Sequence, residues 1–199
     1  WSALAGLGIT YVLPPASFER SGQKVRGPSD VVERRTGTCF DLTLLYAALL
    51  EQAGLNPLVV LTRGHAFLGL WLRLEEFSTA VVDDMQVLRK RRDLEDLIFV
   101  ETTALTASPP MRFGEAVKLG ARHIDEEAVE ALEIAVDIHK ARSMGITPLD
   151  LGDAPGRPAG SNDKPISIDL ALDDTPTFTD EIHVSAEEDA PEVADRLER

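Results

Sequence analysis

Cys39 and His65 are the two side chains whose types and placing could do covalent chemistry. Cys39 is the only cysteine in 199 residues, and it stands immediately before a long apolar pattern of helical period. A thiol in the first turn of a helix faces unsatisfied backbone N–H groups and the positive end of the helix dipole, and both favour thiolate over thiol. The backbone N–H of Cys39 is also placed to point at an oxyanion forming beside the sulfur. His65 opens an alternating apolar run, so it is expected on a strand. An imidazole there can take the thiol proton, and a carboxylate behind it would fix its tautomer. Taken singly, each residue has a plainer reading, Cys39 as an inert buried hydrophobe and His65 as an ordinary core or surface histidine. His123, His139 and His183 have no partner at metal-ligand spacing, and no second Cys/His pair completes a tetrahedral set with Cys39 and His65. No Gly-rich phosphate loop is present. No metal and no cofactor are expected.

The elements that must position the pair are legible around them. Leu42, Leu45, Tyr46, Leu49 and Leu50 recur at steps of three and four, which predicts a helix from Cys39 to Ala53, with Gly54 as a left-handed cap. It is apolar over most of its circumference, so it is expected inside the domain. Leu58–Leu61 reads as a buried strand, followed by a Thr-Arg-Gly turn and a second strand over 65–72 in which Trp71 is core. Leu97–Val100 reads as another buried strand leading into Glu101, with the strand extending over 97–101. Upstream, Ser29–Glu33 predicts a short helix, and Arg34–Thr38 a loop that delivers the chain to Cys39. Downstream, Phe113–Leu119 and Asp125–Arg142 read as helices, the second with a stripe of Val129, Leu132 and Val136 and a stop at Gly145 and Pro148. The fold class expected is α+β, the Cys39 helix packed on an antiparallel sheet, with C-terminal helices.

Composition bounds the rest. Hydrophobic content is 44%, charged content 27%, and the net charge is −14, with 14 acidic and 4 basic residues falling between Asp150 and Arg199. The chain therefore reads as a near-neutral domain over 1–149 and an acidic, Gly/Pro-rich linker or tail over 150–199, with a possible strand at 166–172. Neither part has the concentrated Lys and Arg of a nucleic-acid surface. The one basic run, Arg89–Arg92, is flanked by acids and reads as a solvated face. A single cysteine excludes an internal disulfide framework, and no run reaches the roughly 18 apolar residues of a membrane span. A cytoplasmic protein is expected, and a start at Trp1 rather than Met is expected of a piece of something longer.

The order of these motifs resembles the transglutaminase-like (papain-like cysteine hydrolase) superfamily: Gly37-Thr38-Cys39-Phe40-Asp41 at a helix start, Gly64-His65-Ala66-Phe67 on a strand, then an acid followed by Thr on a later strand. The likeness covers about residues 20–105. It is closer to the transglutaminase-like module at the front of large bacterial superfamily-1 helicase-related proteins. The residues that carry that likeness are Gly22-Gln23-Lys24-Val25-Arg26, Glu51–Pro57, Gly64–Trp71, Val100-Glu101-Thr102-Thr103, Val136-Asp137-Ile138 and Gly145–Leu149. The resemblance implies a cysteine-dependent acyl-transfer fold attached to a larger helicase-related polypeptide, with Cys39 as nucleophile and His65 as base. The third member is Glu101 by context, since a strand precedes it and Thr follows it; Asp83, nearer in sequence, is the alternative acid. Asp41 reads as a first-turn helix stabiliser. Gln23 is a candidate oxyanion donor, with a turn-stabilising amide as its other reading.

These residues predict a cysteine hydrolase or peptidase-like domain working through a thioester on a protein or peptide substrate. Water as acceptor gives proteolysis or deamidation, and an amine gives cross-linking. The alternative is a catalytically inactive protein-binding, regulatory or sensor module of a helicase-linked system, such as an anti-phage one. Neither direct nucleic-acid binding by this chain nor a membrane association is expected.

Overall fold

The computed structural model describes residues 1–13, 24–125 and 132–148. They form, in chain order, α1 (Ser2–Ala5), β1 (Thr10–Tyr11), α2 (Pro28–Arg34), β2 (Thr36–Gly37), α3 (Cys39–Gln52), β3 (Pro57–Thr62), β4 (His65–Trp71), β5 (Val81–Val82), α4 (Met85–Asp93), β6 (Leu97–Val100), a 3₁₀ turn (Thr102–Thr106), α5 (Phe113–Arg122), β7 (Leu132–Asp137) and α6 (Ile138–Ser143). Helices thus combine with a five-stranded antiparallel sheet in the order β5-β7-β3-β4-β6, and β1 pairs β2 in a separate parallel ladder. The segment 150–199, with the strand expected at 166–172, lies outside the described residues.

Local chemistry accounts for the central elements. Thr38 caps α3 by accepting from the Asp41 N–H, while the Asp41 carboxylate accepts from the Thr38 N–H, a reciprocal capping box worth about 1 kcal/mol. Gly54, just past the helix, has φ +77°, the left-handed conformation that a residue without Cβ adopts freely. Gly64, at φ +81°, closes the two-residue turn between β3 and β4, so that Thr62 pairs with His65. His65 is therefore pinned at the first position of its strand, at the end of the sheet.

The sheet is covered on both faces, which is why its strands read as unbroken apolar runs. On one side Leu42, Leu45 and Tyr46 of α3 pack with Val59, Leu68 and Val100. On the other, Leu58, Val60, Phe67 and Phe99 meet Phe77, Leu88 and Ile124. The residues between β4 and β6 supply Phe77 and Leu88 of this second cover, and the turn after α5 supplies Ile124. The exposed edge of β6 is shielded by α5, which comes so close that a Cβ on Gly120 would stand 2.5 Å from the Phe99 carbonyl carbon and oxygen.

Three expectations need correction. Of the helix expected over Asp125–Arg142, the described residues are helical only from Ile138, and Leu132–Asp137 is strand β7, paired with both β3 and β5, while Val129 lies outside the described residues. Leu132 and Val136 fit a helical stripe as well as an alternating one, and only the free edge of β3, whose backbone groups need partners, decides between them. The loop before Cys39 contributes Thr36 and Gly37 to a ladder with β1. The Arg89–Arg92 run is not simply a solvated face. Arg89 donates to the carbonyls of Ile124 and Asp125, Arg91 pairs with Asp96 and lies 5.5 Å from the centre of the Trp71 ring, and Arg92 pairs with Asp125. Trp71 itself is core, 2% exposed.

Candidate active site

Four separate segments converge at the open end of the sheet. Cys39 is the first residue of α3, and the His65 ring and the N–H groups of Phe40 and Ala66 stand close enough to its sulfur to stabilise the thiolate. Since His65 Nε2 lies 2.7 Å from Glu101 Oε2, the ring nitrogen left for the sulfur is Nδ1. Glu101 caps the 3₁₀ turn. Its Oε1 accepts from the Thr103 N–H at 2.8 Å and hydroxyl at 2.7 Å. Its Oε2 accepts from His65 and also from His123 Nε2, at 2.8 Å. A further buried link joins the segments: the Thr43 hydroxyl bonds the Cys39 carbonyl at 2.8 Å and the Thr102 hydroxyl at 2.9 Å.

Charge follows from these contacts. Burial alone would push the Cys39 thiol up, but the His65 hydrogen bond, the two backbone N–H groups and the imidazolium charge outweigh it and lower the thiol below its ordinary value. The hydrogen bonds to Cys39 and then Glu101 push His65 up to about 10, against the opposing effect of burial. Burial would raise Glu101, yet the hydrogen bonds from His123, His65 and Thr103 hold it well below the usual carboxylate range. The contacts all act in one sense, favouring thiolate, imidazolium and carboxylate in series.

Of the two acids considered, it is Glu101 that meets His65. Asp83 follows β5, on the opposite edge of the sheet from β6, and is exposed. Asp41 is buried away from the sulfur's chemistry. Burial would raise it, but it is held below its ordinary value by the N–H groups of Arg26 and Thr38 and by the Arg26 guanidinium, 2.8 Å away. That is the helix-stabilising role its position indicated, and it also anchors the chain entering α2. Gln23 lies outside the described residues.

Two residues at the site carry no sequence signal. His123, at the end of α5, stacks on Phe67 with ring centres 4.9 Å apart and stands 4.8 Å from the His65 ring. Its arrival depends on Gly120, one helical turn earlier. Tyr11 is brought beside Cys39 by pairing with Gly37. Burial, then the charge and sulfur of Cys39 beside it, raise its phenol above the ordinary value, which favours the protonated hydroxyl as a donor towards the thiolate. Nothing in the order of types around either residue marks it.

His65, Glu101 and His123 also offer three ligand atoms within 4.8 Å of one another. Tetrahedral zinc with bonds of about 2.0–2.1 Å separates its ligand atoms by about 3.3 Å. The N–O separations of 2.7 and 2.8 Å are those of hydrogen bonds, so a metal would have to open both contacts to enter. Beside Cys39 and His65 lies a groove of about 290 Å³, walled by Phe40, Leu61, Thr62, Ala66 and Glu133. No family model, curated protein or solved structure matches the chain.

Proposed function

We propose that this chain is a cysteine-dependent hydrolase domain of the transglutaminase-like type, working by acyl transfer through a thioester. The observation that carries the reading is the series Cys39–His65–Glu101, in which the imidazole is hydrogen-bonded to the carboxylate and lowers the thiol in the first turn of α3. The Cys39 thiolate attacks an amide carbonyl carbon, forming the C–S bond and placing negative charge on the oxygen, for which the Cys39 N–H is the nearest built donor. Tyr11, whose hydroxyl is kept protonated beside Cys39, is a second donor for that oxygen. Collapse breaks the C–N bond, and the amine leaves with the proton from His65. His65 then takes a proton from water as the water oxygen adds to the thioester. Breaking the C–S bond releases the carboxylic acid and restores the thiolate–imidazolium pair. The sum is amide plus water to acid plus amine, with no change of oxidation state.

The pairing of Cys39 with His65 favours this reading over a silent protein-binding module, whose thiol has no need to meet an imidazole. The resemblance of the motifs between Gly22 and Leu149 supports placing the domain within a larger helicase-related polypeptide. The direct test is alkylation of the chain by iodoacetamide at neutral pH, followed by mass spectrometry. Cys39 should label faster than a free thiol, and His65→Ala should abolish the excess. Labelling no faster than a free thiol, unaltered by His65→Ala, ends the proposal.

A further inference from the structure

Strand β7 departs from regular pairing at one place, and that place faces the groove. Ile134 is opposite Leu61 and Leu132 is opposite Thr62, so Glu133 is the extra residue of a β-bulge. A bulge leaves its extra residue unpaired and re-aims its side chain. Here it sets Glu133 in the wall of the groove that holds Cys39 and His65. Glu133 is exposed, and among the described residues no hydrogen bond or ion pair engages its carboxylate. The other acids of the site differ: Glu101 and Asp41 are buried and fully engaged.

A second feature lies across the same bulge. Thr62 is 2% exposed, and its hydroxyl is the one buried side-chain oxygen or nitrogen among the described residues that lacks a hydrogen-bond partner. Buried polar groups are nearly always paired, so this hydroxyl marks a place where a donor is expected. Between this acceptor and the sulfur the wall is apolar, formed by Phe40, Leu61 and Ala66. An apolar wall ending in an exposed, unpaired carboxylate complements a side chain with a long methylene stem and a positive tip, and the one cation in the lining, the His65 imidazolium, is already engaged by Glu101.

We propose that the groove selects an acyl donor carrying a lysine or arginine side chain next to the carbonyl that Cys39 attacks, with Glu133 receiving the charge. This rests on the hydrolase reading and adds the substrate class to it. Glu133 is a specificity residue and takes no part in bond making.

The test uses the full chain and three peptidyl vinyl sulfones that differ only beside the electrophile, carrying lysine, norleucine or glutamate. Rates of Cys39 modification are read by mass spectrometry. Lysine should exceed norleucine by about tenfold, a difference of about 1.4 kcal/mol, and glutamate should be slowest. Added salt should shrink the lysine advantage. Glu133→Gln should bring the lysine-to-norleucine ratio towards one, and Glu133→Lys should turn the preference towards the glutamate probe, with thermal denaturation confirming that both variants fold. Equal rates for lysine and norleucine, or a lysine advantage that survives Glu133→Gln, overturns the assignment to Glu133 while the hydrolase reading stands. If none of the three probes modifies Cys39 faster in wild type than in His65→Ala, both readings fall together.

Discussion

Gly120 lets α5 rest directly on the backbone of Phe99, at a distance no side chain would permit. That contact shields the edge of β6, and it carries His123 to the carboxylate of Glu101, two residues beyond Phe99. Gly120→Ala should therefore cost stability despite alanine's better helix propensity. Overpacking of this kind costs about 1–3 kcal/mol. Urea denaturation should show a lower midpoint, and the rate of Cys39 alkylation should fall because Glu101 and His123 no longer register.

Glu101 is the carboxylate on which the site turns. Glu101→Gln should lower kcat/KM by about two orders of magnitude or more, in the range expected when a catalytic base loses its orienting partner, while Asp83→Asn should leave turnover unchanged. A pH signature accompanies the loss. Glu101 is depressed in the folded chain, so its contribution to stability is present above its unfolded value of about 4.3 and is lost as pH falls through the lower folded value. The melting-temperature gap between wild type and Glu101→Gln should thus be widest above about pH 4.3 and narrow on acidification.

His123 acts on the reaction through Glu101, as a positioning residue. His123→Phe retains a ring to stack on Phe67 but deletes a donor to Oε2. The Glu101 carboxyl should rise, since the His123 hydrogen bond is foremost among the contacts lowering it. The acid limb of kcat/KM should move to higher pH, and kcat should fall more than KM changes. A pH profile superimposable on wild type would reduce His123 to a packing residue.

Tyr11 supplies a donor to the sulfur from outside the helix–strand pair. Tyr11→Phe should raise the apparent pKa of Cys39, read from the pH dependence of iodoacetamide alkylation. One hydrogen bond of about 0.5–1.5 kcal/mol corresponds to a rise of up to about one pH unit. An unaltered inflection would show that the Phe40 and Ala66 N–H groups and His65 hold the thiolate without it.

His65 adds stability of the opposite pH sense. Its folded value is raised to about 10, so its contribution is complete below its unfolded value of about 6.5 and is lost as pH rises towards the folded one.

The features legible along the chain were local ones. The Cys39 helix is written in its apolar steps, its Thr38–Asp41 cap and Gly54, and the His65 strand in its alternation and the Gly64 turn, because a few adjacent residues set each of these. Glu101 was readable only by its context, a strand before it and Thr after it. Asp83 stood as the alternative acid until the strand order put it on the far edge. The remainder depended on tertiary structure. Leu132–Asp137 suits a helix or a strand, and hydrogen-bonding demand along β3 settles which. The bulge that turns Glu133 into the groove is a register between strands that lie far apart along the chain. His123 and Tyr11 meet Glu101 and Cys39 through a close helix–strand contact at Gly120 and a two-residue ladder at Gly37. Neither contact leaves a trace in local composition. Backbone propensity and capping act over a turn or two, whereas the charge state of a thiol depends on every dipole within a few ångströms, whatever its distance in sequence.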